Sequence, residues 1–374
     1  MKIGIDGTIL RAKRAGGGHY VYELCRELDR QLPQATFYVY SFEPVDLPIA
    51  SERWIARVDP VWWAARLKWV PWLKMRAGAL CLMDQLDAFW GTGTLLPKLP
   101  PAVNVVSTVY DLSYLIVPAT MDTVFYWACR LFFERDIRRA NRILAISNGT
   151  AERLRQMLDL RVAGVVLPAV ASDFRRPLPE VITSTLAKLG VVRPYLLTVG
   201  TLEPRKNLKL LVEVFAHLKR MGQLTQHRLV LVGGKGWKDQ NLQRLFGQYA
   251  DAGVMPLGYV AEADLPSLYA GTDAFVFPSL YEGFGMPVLE ARACGARIVA
   301  SDIPEIREAG GVGPMYISPT AVALTNALPK ILLQAPMETS TLSLPSWNDS
   351  ARVLARALTG GSGMLATSVR PTWS

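Results

Sequence analysis

Cysteine is scarce in this chain. Cys25, Cys81, Cys129 and Cys294 are the only four in 374 residues, and their wide scatter shows neither a disulfide framework nor metal-ligand spacing. A reduced, cytoplasmic compartment is the economical expectation. No apolar run reaches about 18 residues, so no transmembrane helix is predicted. Asp6 interrupts the opening Met-Lys-Ile-Gly-Ile-Asp-Gly, which reads as a strand and turn rather than a signal peptide. Charged residues make up 20% against 50% hydrophobic, an ordinary globular balance. A chain of this length exceeds one hydrophobic core and calls for two domains.

The net charge of +9 is unevenly placed. Residues 1–170 carry 21 basic and 16 acidic side chains, a net of +5, and the remainder carries 20 and 16. Residues 53–76 alone hold Arg53, Arg57, Arg66, Lys68, Lys74 and Arg76 against Asp59, which matches that whole excess. The same stretch holds Trp54, Trp62, Trp63, Trp69 and Trp72, half of the ten tryptophans. Asp59-Pro60 has the form of a helix N-cap followed by proline, and Pro71 ends or kinks the segment. Tryptophan interleaved with Lys and Arg suits a segment lying in a bilayer interface, with Trp62, Trp63, Arg66, Lys68, Trp69 and Trp72 in contact. The alternative is a surface helix that packs its tryptophans inward. Nucleic acid is a poorer partner, because no recognition-module pattern accompanies the charge.

Along the chain, apolar strand patterns alternate with helical ones. Met1 to Asp6, Phe37 to Phe42, Ala88 to Gly93, Asn104 to Asp111, Arg142 to Ser147 and Val165 to Val170 read as strands, with helices over Tyr20 to Leu32 and Val124 to Ala140. This order predicts a parallel sheet with ligand-binding loops at the strand C-termini. Gly16-Gly17-Gly18 opens the first helix, either to cradle a phosphate or simply as a flexible turn. Residues 171–194 are Pro-, Ser- and Arg-containing and read as a linker. The strand–helix rhythm then restarts at Tyr195, giving a second doubly wound domain over 195–345. Ser346-Trp347 begins a last amphipathic helix, and the small polar tail to residue 374 reads as frayed.

Two places in the second domain carry chemistry. Arg205 and Lys206 lie between a strand ending at Val199 and a helix beginning at Leu208. Cations are disfavoured at a helix start, so the pair calls for a compensating anionic ligand such as a pyrophosphate, with a solvated charge pair as the alternative. The stretch Phe277 to Gly295 runs from a buried strand through Gly283 and Gly285 to a helix that opens at Pro287 and stops at Gly295. Its backbone N–H groups suit an anion. Its two carboxylates, Glu282 in the loop and Glu290 in the first helical turn, suit sugar hydroxyls. Together the two places suggest a sugar nucleotide.

These residues fall into recognisable motifs. Val199-Gly-Thr-Leu-Glu-Pro-Arg-Lys-Asn207, Leu231-Val-Gly-Gly-Lys-Gly-Trp237, Gly258-Tyr-Val260 and Pro278-Ser-Leu-Tyr-Glu-Gly-Phe-Gly-Met-Pro-Val-Leu-Glu-Ala291 resemble the retaining glycosyltransferases of sequence family 4, which have the GT-B fold. Ile3 to Leu10, Gly16 to Tyr20 and the Ser346-Trp347 helix match as well. The resemblance implies an α/β architecture of two Rossmann-like domains facing across a cleft. The first, 1–170, would take the acceptor and the second the donor, and the last helix would cross back to the first. Glu282 and Glu290 correspond to the family's pair of glutamates seven residues apart, with Glu290 on the nucleotide ribose and Glu282 on the transferred sugar. Gly283, Phe284, Gly285 and Met286 would line the donor, with backbone amides of Phe284 and Gly285 reaching sugar or phosphate. Gly200 and Gly234 belong to the same rim, and Tyr259 and Val260 would meet the base. Arg205 and Lys206 would hold the diphosphate and stabilise the leaving nucleotide. The family favours front-face attack, and no metal or cofactor is expected.

On the first domain, Gly17, Gly18, Tyr110 and Asp111 are the expected donor contacts. Tyr110 stands where relatives have a histidine that reaches the donor sugar. Neither His217 nor His227 replaces it, and His19 is a poor substitute. Either Tyr110 lines a pocket for a different sugar, such as a 6-deoxy sugar, or it packs beside the cleft. The expected activity is transfer of mannose or a related hexose from a nucleotide sugar, GDP-linked, to a lipid-linked or lipopolysaccharide saccharide at the inner leaflet. The rivals are a soluble transferase or epimerase without a membrane role, and a two-lobed sugar-binding protein without catalysis.

Overall fold

Short apolar strands separated by amphipathic helices favour parallel pairing through right-handed crossovers. The computed structural model describes residues 1–10, 16–61, 63, 68–234, 236, 240–335, 337 and 343–361. In chain order its elements begin with β1 (Lys2–Asp6), α1 (Gly16–Gln31), β2 (Thr36–Ser41), β3 (Trp54–Val58), α2 (Trp69–Trp72), a π-helical turn (Leu73–Ala77) and α3 (Gly78–Asp84). They continue with β4 (Ala88–Gly91), β5 (Asn104–Val109), α4 (Ser113–Ile116), α5 (Thr123–Ile137), β6 (Arg142–Ala145), α6 (Asn148–Leu158), β7 (Gly164–Val165) and α7 (Pro179–Lys188). Then come β8 (Tyr195–Val199), α8 (Leu208–Arg220), β9 (Arg228–Val232), α9 (Gln240–Gln248), β10 (Val254–Gly258), α10 (Leu265–Gly271), β11 (Ala274–Phe277) and α11 (Met286–Ala293). Last are β12 (Ile298–Ser301), α12 (Pro304–Gly310), β13 (Met315–Ile317), α13 (Ala321–Ile331) and α14 (Trp347–Leu358). No helix among the described residues is long and apolar enough to cross a membrane.

The strands form two parallel sheets, one of seven in the order β3-β2-β1-β4-β5-β6-β7 and one of six in the order β10-β9-β8-β11-β12-β13. The chain divides accordingly into two compact units. The first comprises residues 1–112, 123–168 and 345–374, and the second 113–122 and 169–344. Residues 171–194, expected as a linker, carry α7, which packs on α10 within the second unit.

The first unit's core is built from β1 and β2 (Ile3, Ile5, Phe37, Val39), α1 (Val21, Leu24, Leu28) and, from the far end of the chain, Ala351, Leu354, Ala357 and Leu358 of α14. Helix α14 is capped by Ser346, whose side chain accepts from Asp349 N, and packs along α1. The second core joins Leu211, Val212, Phe215 and Leu218 of α8 with Leu196, Leu229, Leu231, Val276 and Val299 of the sheet.

Three sequence expectations are corrected here. No helix starts at Asp59-Pro60. Residues 54–58 form β3, paired in register with β2, and the Asp59 carboxylate instead accepts from Val61 N at 3.1 Å. The strand expected over 165–170 shortens to Gly164–Val165. After β12 the sheet continues through α12, β13 and α13, three elements that the sequence reading left out. The expected frayed tail, from residue 362 onward, lies outside the described residues.

Candidate functional site

In the six-stranded sheet β8 leads to β9 and β10 on one side, and the chain then returns to add β11 on the other side. This is a topological switch point, where loops from neighbouring strands diverge and leave a ligand space at the strand C-termini. The loop after β8 forms a 3₁₀ turn over Pro204–Lys206, ended by Asn207 at φ 56°. The loop after β11 runs to Gly285, the N-cap of α11. The two loops are joined by backbone, Leu280 N donating to Arg205 O at 2.9 Å.

Arg205, Lys206 and Glu282 meet here. Arg205 Nη1 donates to Glu282 Oε2 at 2.6 Å and to Tyr281 O at 2.8 Å. Arg205 Nη2 donates to Glu203 Oε1 at 2.6 Å. Lys206 Nζ donates to Glu282 Oε1 at 2.7 Å and stands 4.9 Å from the centroid of the Phe277 ring. The Lys206 stem packs on Gly200, where a Cβ would lie 3.3 Å from Lys206 Cε. Burial alone would raise the Glu282 carboxyl, but Arg205 and Lys206 outweigh it and hold it down at about 2. The expectation that this cation pair lacks a partner without a phosphate is therefore corrected. Glu203, to which the sequence reading gave no role, and Glu282 already compensate it. Such charge-assisted bonds in a buried site are strong and preorganised.

Glu290 sits on the second turn of α11 rather than the first, because the helix begins at Met286. Its Oε2 accepts from Tyr269 Oη of α10 at 2.7 Å. Desolvation pushes its carboxyl up to about 7; the Tyr269 bond opposes this and nearby Glu262 adds to it. Tyr269 is a second residue that the sequence reading missed, since an aromatic on an apolar helix face looks like core. Gly285 has φ 107°, the left-handed region natural to glycine. Gly283 and Phe284 are buried beside it, and Met286 is partly buried. The remaining rim comes from β9 and β10. At Gly233 a Cβ would come within 1.9 Å of Gly200 O, and Gly234 has open space. Val260 is buried, while Tyr259 is 80% exposed.

The seven-stranded sheet has its own switch point, between β1 and β4. Gly17 is exposed at the start of α1 with open space around it, and Gly18 is buried. Tyr110, just past β5, is partly buried and stacks edge-on against Tyr20 at 5.6 Å, with Asp111 following it. Among the described residues, the hydroxyl of Tyr110, the Nε1 of Trp69 and the Oδ2 of Asp6 are buried without a hydrogen-bond partner. A Cβ at Gly93 would lie 2.9 Å from Asp6 Oδ2 and 3.4 Å from Trp69 Cζ2, so only glycine leaves that corner open. Orphaned buried polar atoms of this kind are costly unless something pairs with them. Asp6 and Trp69 were not expected in this role.

The tryptophan-rich stretch follows the inward-packing alternative at Trp54, on β3, and at Trp72, on α2, both buried. Trp72 is fully buried and donates Nε1 to Asp59 at 3.0 Å, so it is no surface contact. Trp69 is partly buried, 5.6 Å from the Phe125 ring. Trp63 is exposed under the Arg76 guanidinium, and Lys68 is exposed. Trp62 and Arg66 lie outside the described residues. The charge excess is largely neutralised: Arg53 pairs with Asp29, Arg57 with Asp84, Lys74 with Asp136 and Arg76 with Asp59. The acidic partners of Arg53, Arg57 and Lys74 lie outside 53–76, so a local charge count could not reveal them.

Two parallel Rossmann-like sheets, a cation pair facing a glutamate at a switch point and a last helix returned to the first unit define a GT-B glycosyltransferase. Residues 193–334 match the family described as "Glycosyl transferases group 1". The chain is 32% identical over 294 residues to O-antigen chain mannosyltransferase B of Escherichia coli, covering 76% of this chain and 74% of that one. It is 24% identical over 224 residues to O-antigen chain mannosyltransferase RfbU of Salmonella typhimurium, covering 59% and 58%. Its fold is similar to the crystal structure of WaaG, a glycosyltransferase involved in lipopolysaccharide biosynthesis, with a TM-score of 0.69 at 16% identity over 96% of this chain and 100% of that one. The chain belongs to the group 1 glycosyltransferases, the retaining family 4, and is related to bacterial O-antigen mannosyltransferases.

Proposed function

We propose that the chain transfers mannose or a related hexose, including a 6-deoxyhexose, from a GDP-linked donor to a lipid-linked or lipopolysaccharide saccharide, working in the cytoplasm at the inner leaflet. The observation that carries this is the Arg205–Glu282–Lys206 constellation. The cations stand at one strand end, where negative charge develops on a departing diphosphate, and preorganised charges stabilise that leaving group without reorganisation. Glu282, held ionised, offers acceptor oxygens for hydroxyls of the transferred sugar. Glu290 near the start of α11 would take the ribose, and the exposed Tyr259 the base. In the first unit the orphaned atoms of Asp6, Trp69 and Tyr110 are a carboxylate, an indole N–H and a phenol, a set that matches saccharide hydroxyls. The naming of the relatives as O-antigen mannosyltransferases supports mannose and a surface polysaccharide.

A thermal-shift series with GDP, UDP, dTDP, ADP and their sugars tests the donor. GDP and GDP-mannose are expected to raise the melting temperature; a response to UDP alone overturns the GDP assignment. Transfer from GDP-mannose to a lipid-linked saccharide tests the reaction. Lys206→Ala is expected to lower kcat about 10²–10³-fold, the usual loss of one preorganised charge. Binding without turnover overturns catalysis in favour of a two-lobed binding protein.

A further inference from the structure

Helix α10 is buried from Pro266 to Gly271, and two tyrosine hydroxyls are anchored around it. Tyr195 Oη, from β8, donates to the backbone of the helix at Leu268 O, 2.8 Å away. Tyr269, on the helix itself, reaches outward and donates to Glu290 Oε2 of α11 at 2.7 Å. The ring of Tyr269 is held by other rings. Phe275 of β11 stands edge-on to it at 5.3 Å, and Phe174, from the segment before α7, lies 6.4 Å away. Phe275 stacks on Phe277 at 5.8 Å, and Phe277 is the ring beside Lys206. One run of packed rings therefore connects the tyrosine bound to Glu290 with the lysine bound to Glu282.

A phenol has one proton to donate, and a carboxylate offers several lone pairs. The bond between them is charge-assisted, and so stronger than a neutral one. Glutamate is a flexible side chain that loses rotamer freedom when it is fixed. A binding group meets its ligand in one geometry only when packing and hydrogen bonds behind it lock its rotamer. Tyr269, fully buried among rings, supplies that lock. It engages Oε2 and leaves Oε1 to accept from a ligand. The groups that face this carboxyl are Tyr269 from α10, Lys206 from the 3₁₀ turn after β8, Glu262 from the turn before α10 and Cys294 at the end of α11. Tyr269 and Lys206 favour its ionised form, whereas desolvation and Glu262 oppose it.

We infer that Tyr269 is a positioning residue for nucleotide binding. Its hydroxyl holds Glu290 in the one rotamer that accepts from the adjacent hydroxyls of a ribose, which makes the site selective for a ribonucleotide over one that lacks those hydroxyls. This rests on the placement of Glu290 at the ribose proposed above and adds the residue that stands behind it.

Calorimetric titration of the full chain at pH 8 with GDP, UDP and the 2′,3′-dideoxy form of each tests it, the base that binds more tightly being the one compared. The wild type is expected to bind the dideoxy form about tenfold or more weakly, the usual worth of a hydrogen bond to a charged group. Tyr269→Phe and Glu290→Ala are each expected to bind the ribonucleotide about tenfold more weakly and the dideoxy form as wild type does, so that the preference falls to within about twofold. Tyr269→Phe keeps the ring and its packing, and its unchanged affinity for the dideoxy form shows that it is folded. Tyr195→Phe removes the other hydroxyl at α10 and is expected to lower the melting temperature while keeping the preference. The loss in Tyr269→Phe is expected to persist at pH 9, above the Glu290 value of about 7. Full recovery there would mean that the hydroxyl acts only on the charge of Glu290, and the positioning role is overturned. If Glu290→Ala loses the preference and Tyr269→Phe keeps it, Tyr269 only packs, and the proposal falls while the ribose reading stands. If Tyr195→Phe loses the preference equally, a loosened α10 is the cause and the proposal falls. If the wild type shows no preference, or binds neither nucleotide, the ribose reading falls and the proposal with it.

Discussion

At Glu290 a partly buried carboxyl raised to about 7 is asked to serve as a carboxylate. Its ordinary value is 4.5. Between those two values the folded chain holds a proton that the unfolded chain releases, so stability falls as pH rises through that window and levels off above it. Glu290→Gln does not ionise, so its melting temperature relative to wild type is expected to be higher at pH 8 than at pH 5. Donor affinity has the opposite sign if the ionised form binds the ribose. It is expected to drop about tenfold at pH 6 relative to pH 8, and the Gln variant to lack that component. Calorimetric titration at the two pH values checks both, and equal pH dependence in variant and wild type removes Glu290 from the binding surface. Glu282 runs the other way. The cations that hold it near 2 make its contribution to stability present above its usual range and lost only as pH falls toward 2. One motif thus holds two glutamates of opposite tendency, one clasped by cations and the other desolvated beside a tyrosine.

The loop–helix junction at Gly285 shows why such elements were legible. Its φ of 107° and ψ of 51° leave space for a methyl, whose nearest contact would be Ile306 Cγ1 at 3.6 Å. The cost of Gly285→Ala is therefore backbone strain rather than collision. It is expected to lower the melting temperature by about 2–10 °C, measured by differential scanning calorimetry; no change would show that the junction tolerates other backbone angles. Glycine at such a turn, proline just inside the helix and a strand pattern before it are local signals, and local signals put β8, β11, α8 and α11 where the sequence had them. Signals that depend on distant partners were not readable. Asp29, Asp84 and Asp136 neutralise arginines and a lysine far away in sequence.

For the molecule as a whole, the formal charge of +9 says less than its pairing, since most of the local excess in 53–76 is matched by acidic partners. The connectivity says more. The first unit is assembled from three separated segments, and α14 supplies Leu354 and Leu358, both fully buried, to its core. Those two leucines alone represent about 3–6 kcal/mol of burial, a large share of the roughly 5–15 kcal/mol that holds a domain together. A chain ended at residue 344 is expected to lose the cooperative unfolding of the first unit while keeping the nucleotide-dependent stabilisation of the second. Limited proteolysis is expected to cut within 1–168 and spare 169–344, and protection of both units would contradict this. The same connectivity sets a schedule for synthesis. Domains generally fold in the order in which they leave the ribosome, but here residues 16–31 must wait for residues 347–358. Helix α1 emerges early with its apolar face uncovered, and the second unit can be complete before α14 exists to cover it. The first unit is begun before the second and finished after it, so the newborn chain carries an uncovered apolar face until residues 347–358 are made.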